Sequence, residues 1–264
     1  LLAFYTSPEW DSLRRRRSAV KADLQPLLPH SDLGFYDVSD QSVLRAHVAL
    51  AKRHGVYGFC FALNAMGGGI ASTNALAGLL ERSDLDIGIC VALDTEVVNW
   101  DARESGLLRR ACTDPRAIRV DGRPVLLVKL GNGPKDAQGQ LSGVRKVLRD
   151  QGIGPVFLIV CWIEGDSAEL IHACANGACD AVLDLPNPLM PRAANGYELL
   201  KSGGIHTEPY SVVAAQGAAR AEAAGKGGAP IYPSICVGYD NTSTDSSRHV
   251  VYTRFQIQHY RRWL

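Results

Sequence analysis

Residues 88–100 read GICVALDTEVVNW. A short apolar run, Ile87 to Ala92, ends abruptly in Asp94 and Glu96, followed by Asn99, Trp100 and Asp101. A strand buried on both faces, as in a parallel sheet, is apolar almost without interruption, and this run has that character. The carboxylates then fall in the loop beyond its carboxyl end, where α/β proteins carry their chemistry. Taken alone, such a loop is explained as well by solvation as by function. Function is indicated only if other strands deliver polar groups to the same rim.

The 264 residues suit one large α/β domain spanning 1–264, and 46% of them are of hydrophobic type, enough for a substantial core. Lys and Arg total 28 against 27 for Asp and Glu, so there is no basic field to hold nucleic acid. Cys60, Cys90, Cys161 and Cys236 sit inside apolar runs, where cysteine behaves as a small hydrophobe. No C-x-x-C pair occurs and the histidines lack ligand spacing, so neither a metal nor a cofactor is expected. A reducing cytoplasm is the simplest compartment. The longest apolar run, Val156 to Ile163, is too short to span a bilayer. Leu1 to Tyr5 reads as a core strand and not as a leader, which predicts that the natural protein begins upstream and has room for other domains.

Along the chain, apolar runs predict strands at Leu1–Tyr5, Val56–Ala62, Ile87 onward, Val125–Leu130, Val156–Trp162, Asp180–Leu185 and Ile231–Val237. Asp40 is placed to cap a helix with core positions Val43, Leu44, Val48, Leu50 and Ala51, which Gly55 closes. Further helices are expected over Thr73–Arg82, Asp101–Cys112, Leu141–Asp150, Ser167–Asn176, Val212–Ala224 and from Thr253 to Leu264. Arg119 to Pro124 reads as a tight turn of hairpin type. The run Met66 to Gly69 lacks the Lys and Ser/Thr of a P-loop and reads as a mobile loop. Alternating strands and helices demand parallel strands with right-handed crossovers. A (β/α)8 barrel fits best and a doubly wound open sheet comes second. Seven strand–helix units are one short of closure, so either one more strand lies unread within this chain or the eighth lies beyond it.

Polar groups follow most of these strands: Glu9 and Trp10, Asn64, Asp94 and Glu96, Lys129, Glu164, Asp184 and Asn187, then Tyr239, Asp240 and Asn241. In a barrel these loops open on one face. Carboxylates and amides bind hydroxyls in pairs and aromatic rings stack on a pyranose, so the set suits a sugar. Two of the carboxylates are candidates for general acid and nucleophile or base. Glu96 and Asp240 are the first choice for that pair. Lys129, at a strand end, also raises Schiff-base chemistry as an alternative.

The chain resembles the WbsX-type proteins of bacterial polysaccharide loci, named as glycosyltransferases and related in fold to endo-α-mannosidase glycoside hydrolases. Pro8-Glu9-Trp10 is similar to the family's T-E-W, and Leu33-Gly34-Phe35-Tyr36-Asp37 matches its L-G-F-Y-D, which adds Tyr36 to the substrate-binding candidates. His54 to Cys60 resembles H-G-I-x-G-F-C. Asp114-Pro115-Arg116 with Arg119 to Pro124 resembles D-P-R-Y-I-R-V-D-G-K-P. Gly238 to Thr242 matches G-W-D-N-T, and Tyr260 to Leu264 resembles Y-E-R-W-L. The resemblance implies a barrel that cleaves or transfers a glycosidic bond in a cell-surface polysaccharide, with a glycan or sugar-nucleotide as substrate.

The departures are equally specific. Where the family reads Y-Y-H-Y-W, this chain has Phe61-Ala62-Leu63-Asn64-Ala65. C-W-A-N-E-N-W becomes Ala92 to Val98, keeping Glu96 and losing the aromatics, and Lys129 replaces an aromatic. The family's N-E-W-x-E, source of the catalytic carboxylate pair in the related mannosidases, comes after Leu264. These losses motivate a second expectation, a catalytically degenerate glycan-binding barrel.

Overall fold

In the computed structural model the structure describes residues 10–11, 14, 29, 31, 33–38, 40–63, 69–95, 102–131, 135–162, 168–185, 198–200, 205–224, 229–239 and 249–263. The expected first strand, Leu1–Tyr5, lies outside them.

Helix α1 (Gln41–Arg53) starts as its sequence requires, with the Asp40 carboxylate accepting the Ser42 amide at 2.7 Å. Its buried stripe is Leu44, His47, Val48 and Ala51. Leu50, expected in the core, is 40% exposed, because it falls off the i, i+3, i+4, i+7 line that starts at Leu44. The helix stops at Gly55, whose φ of 73° is open to glycine at no steric cost.

Strands β1 (Gly58–Ala62), β2 (Gly88–Asp94), β4 (Arg123–Lys129) and β5 (Phe157–Trp162) pair in parallel as neighbours in that order. Their crossovers carry α2 (Gly69–Leu80), α3 (Ala102–Thr113) and α4 (Ala137–Asp150). The short β3 (Arg119–Val120) folds back antiparallel on β4 through Asp121 and Gly122, with φ of 49° and 75°, the backbone a two-residue hairpin demands. Helix α5 (Ala168–Ala175) leads into β6 (Ala181–Asp184), and later in the chain comes β9 (Ile231–Pro233). The strand order of this sheet is β1-β2-β4-β5-β6-β9, with β3 off that path. Six expected strands are therefore present, with ends that differ by a few residues. Cys174, in the last turn of α5, is joined in a disulfide to Cys179 beyond it, a pairing the sequence did not announce.

The expected alternation of strand and helix fails beyond β6. Strands β7 (Glu198–Leu200), β8 (Ile205–Pro209) and β10 (His249–Thr253) form a second sheet of order β10-β8-β7. There β7 pairs antiparallel with β8, and β10 pairs parallel with it. The last helix, expected from Thr253, is α7 (Ile257–Trp263). The β-branched and aromatic run His249-Val250-Val251-Tyr252-Thr253 is a strand, and Arg254 breaks the chain with φ of 54°. The fold is α/β, built on a parallel sheet with crossover helices.

The described residues divide into two compact units. One comprises residues between 36 and 182 with 229–230, and its core is the fully buried row Phe61, Leu93, Leu126, Val128, Leu158 and Val160 from neighbouring strands. The other comprises residues between 10 and 35, 183 and 224, and 231 and 263. Its core is Tyr210, Val213 and Ala214 of α6 (Tyr210–Ala224) against Trp263 of α7. The Tyr210 hydroxyl donates to the Cys236 carbonyl at 2.8 Å. Gly217 sits where α6 meets Trp263, and a methyl there would fall inside the indole. Gly217→Ala is accordingly expected to cost about 1–3 kcal/mol through overpacking, despite the better helix propensity of alanine. A lower denaturation midpoint with a red-shifted tryptophan emission is the expected result. Unchanged emission at unchanged midpoint would show that the contact is not a constraint.

Candidate functional site

β2 ends on Asp94 and β4 ends on Lys129, and the sheet register sets these two residues side by side. Register partners in a parallel pair share a face of the sheet, so the two side chains emerge together. Lys129 Nζ donates to Asp94 Oδ2 at 2.9 Å. The Asp94 side chain is 3% exposed and that of Lys129 34%, so the carboxylate is buried beneath the ammonium. The face that carries the pair is the less completely enclosed of the two: Gly58, Cys60, Gly88, Arg123, Leu127 and Lys129 are half-buried on it, although Ala62, Cys90, Ala92 and Val125 on the same face are buried, while Phe59, Phe61, Ile89 and Val128 on the other face are fully enclosed. The ion pair stands at the carboxyl edge of the more open face.

Thr95 holds this edge in place. Its amide donates to the Lys129 carbonyl at 3.0 Å. Its hydroxyl donates to Gln140 Oε1 at 3.0 Å and accepts the Gly131 amide at 2.8 Å. Gln140 Nε2 in turn donates to the Lys135 carbonyl at 2.7 Å. The loops after β2 and β4 and the first turn of α4 thus form one hydrogen-bonded rim. Neither Thr95 nor Gln140 carries a sequence signal for this role beyond the placement of Thr95 directly after a strand-end carboxylate.

Cys161 of β5 is the next residue in the same register row, opposite Lys129. Burial pushes its thiol up to about 12, with Lys129 pulling weakly the other way, so it is not a thiolate nucleophile. Cys90, buried deeper on the same face, is raised by its hydrogen bond to Cys60 and by burial. Lys129 lacks the apolar enclosure that activates Schiff-base lysines, being a third exposed and tied to a carboxylate.

Asp184, in the second unit, is 4% exposed and accepts both forks of the Arg220 guanidinium, Nε at 3.1 Å and Nη2. The Ser234 hydroxyl donates to its carbonyl. Tyr239 lies 5.8 Å from the Tyr252 ring, and its carbonyl accepts the Tyr252 amide at 2.8 Å. Trp10 is 4% exposed, with its ring edge-on to Phe35 at 5.6 Å, while the Arg14 guanidinium lies 3.8 Å over Phe35. Tyr36, in the first unit, packs edge-on against the buried His47 at 4.7 Å. Glu9, Asn64, Glu96, Glu164, Asn187, Asp240 and Asn241 lie outside the described residues. Among the described residues, no helix is long and apolar enough to cross a membrane.

Parallel strands joined by crossover helices define an α/β protein. Within that class the chain belongs to the WbsX glycosyltransferase family, whose model matches residues 5–109 and 99–264. It is similar to the uncharacterized protein WxcX of Xanthomonas campestris pv. campestris strain B100, 23% identical over 280 residues, and to that of a second strain, 24% identical over 281. Each match covers 97% of this chain and 39% of the relative, so the chain spans about two fifths of the length of these proteins. Its fold is similar to that of a solved glycoside hydrolase-like protein, with a TM-score of 0.61 at 15% identity, over 99% of this chain and 77% of that one.

Proposed function

We propose that this chain is the (β/α)8-type barrel of a carbohydrate-active enzyme that cleaves or transfers a glycosidic bond in a bacterial cell-surface polysaccharide. The family match along nearly the whole chain carries this reading, and the fold likeness to a glycoside hydrolase-like protein supports it. Glu96, two residues beyond Asp94, and Asp240, directly after Tyr239, are the carboxylates proposed to act on the sugar. In such reactions one carboxyl group protonates the leaving oxygen and a second attacks or activates the acceptor. Glu9 and Trp10, with Tyr36, Asn64, Asp94, Glu164, Asp184, Asn187, Tyr239 and Asn241, are the residues proposed to bind the sugar.

Turnover of at least one substrate in a panel of bacterial oligosaccharides and nucleotide-sugars by the full-length protein is the expected result. No turnover and no binding across the panel would sink the proposal. A second reading, a glycan-binding barrel without catalysis, is favoured by one observation: the stretches Ala62 to Ala65 and Leu93 to Val98 lack the aromatics and histidine of the family pattern. Glu96→Gln and Asp240→Asn separate the two. Turnover lost with fold and glycan binding kept supports the enzyme, whereas binding without turnover in the wild type supports the binding domain.

A further inference from the structure

We infer that Lys129 and Asp94 act as one unit that reads a pair of neutral sugar hydroxyls and disfavours acidic sugars. This rests on the glycan reading above and names the substrate class within it. An ammonium has three N–H donors. One goes to Asp94 Oδ2, and among the described residues Asp94 is the partner of this ammonium. Two donors are left at the carboxyl edge of the more open sheet face, spaced to meet two adjacent oxygens. The unit is rigid at its base, since the Thr95 amide and hydroxyl tie the Lys129 carbonyl, Gly131 and Gln140 together. Donors held in place before binding lose little freedom on binding.

The charge arrangement selects the ligand. A lone lysine would be a point charge suited to a carboxylate or phosphate. Here the buried Asp94 cancels the net charge and leaves a dipole whose positive end is outermost. An anionic group set on the ammonium would sit about twice as far from Asp94 as from Nζ, which removes about half of the attraction. The remainder must offset the stripping of water from a full anion, which is costly. A hydroxyl pair gives up far less hydration and accepts the same two hydrogens.

The test uses the full chain with two matched probe sets: neutral hexose and deoxyhexose oligosaccharides, and the corresponding uronic-acid oligosaccharides. Binding of a neutral glycan at least ~10-fold tighter than its uronate counterpart, little changed between low and high salt, is expected. Lys129→Met should weaken the neutral glycan about 10-fold or more. Because that variant leaves Asp94 buried without its cation, the charge-free pair Asp94→Asn with Lys129→Met is measured beside it and should show the same loss. Asp94→Asn alone should move the preference toward the uronate about 5–10-fold. Preference of the wild type for uronates, or wild-type affinity in the charge-free pair, overturns this inference and leaves the glycan reading standing. Failure to bind either probe set overturns both.

Discussion

Arg116→Ala is expected to lower folding stability by about 3–5 kcal/mol, on the order of 10 °C in Tm. Every N–H of this guanidinium has an acceptor. Nε and Nη2 fork onto the Asp114 carboxylate at 2.8 Å each. Nη1 donates to the carbonyls of Arg82 at 2.7 Å and Leu85 at 2.9 Å, and Nη2 also reaches the Leu79 carbonyl at 3.1 Å. The Arg116 and Asp114 side chains are 13% and 12% exposed, so water replaces these bonds poorly. The Arg116 carbonyl meanwhile accepts the Ile89 amide at 2.9 Å, which stitches the same residue to β2. One residue therefore holds the end of α2 and the turn after it through its side chain, and the strand that carries Asp94 through its carbonyl. Arg116→Lys keeps the charge but offers three donors without a fork, so a loss of about 2–3 kcal/mol is expected. Chemical denaturation reads both: the midpoints fall in the order wild type, Lys, Ala, at unchanged slope. A wild-type midpoint for Arg116→Ala would show that the carbonyls find other donors.

That clamp marks the limit of what the sequence discloses. Asp114-Pro115-Arg116 stands out as a motif, but three of the acceptors are backbone carbonyls, which every residue possesses and no letter announces. Central strands were legible because burial on both faces forces unbroken apolar runs such as Ile89 to Leu93. The start and stop of α1 were legible because Asp40 and Gly55 have local reasons to be there. Strands β7, β8 and β10 were not. Ile205-His206-Thr207-Glu208-Pro209 mixes polar residues and ends in proline, and its pairing with His249–Thr253 is a contact between distant segments. Of the site, Asp94 and Lys129 were each visible as polar residues ending apolar runs. Their meeting was not, because register alone brings together residues 35 positions apart. Asp180 was read only as the start of a strand, since its partners stand 57, 35 and 22 positions away.

Those partners make Asp180 the site of the second large effect. Its Oδ1 accepts Arg123 Nη1 at 2.6 Å, and its Oδ2 accepts Arg145 Nη2 and the Leu158 amide, each at 2.8 Å. Burial pushes this carboxyl up, but the three donors outweigh it and hold the group below its usual range. Asp180→Ala leaves two guanidinium groups and a strand amide without their acceptor, and a loss of about 3–5 kcal/mol is expected. The sign of the pH effect follows from linkage. With the folded value below the unfolded one of about 3.9, the unfolded state binds more protons in the window between them. The stabilisation is thus complete above the unfolded value and disappears as pH falls through the folded one. The stability difference between wild type and Asp180→Asn should be flat near neutrality and shrink below about pH 4. A difference that stays constant into acid would mean that the bonds, and not the charge, carry the effect. Leu158 is the second residue of β5 and Cys161, beside Lys129, is near its end, so Asp180 works at the edge of the sheet opposite the proposed sugar-reading pair. Under the barrel logic the amino edge serves stability and the carboxyl edge serves function. The folded fraction of Asp180→Asn should therefore bind glycan as the wild type does, whereas Lys129→Met combined with Asp94→Asn should fold and bind poorly. The reverse outcome would place the working edge of this sheet at its amino end.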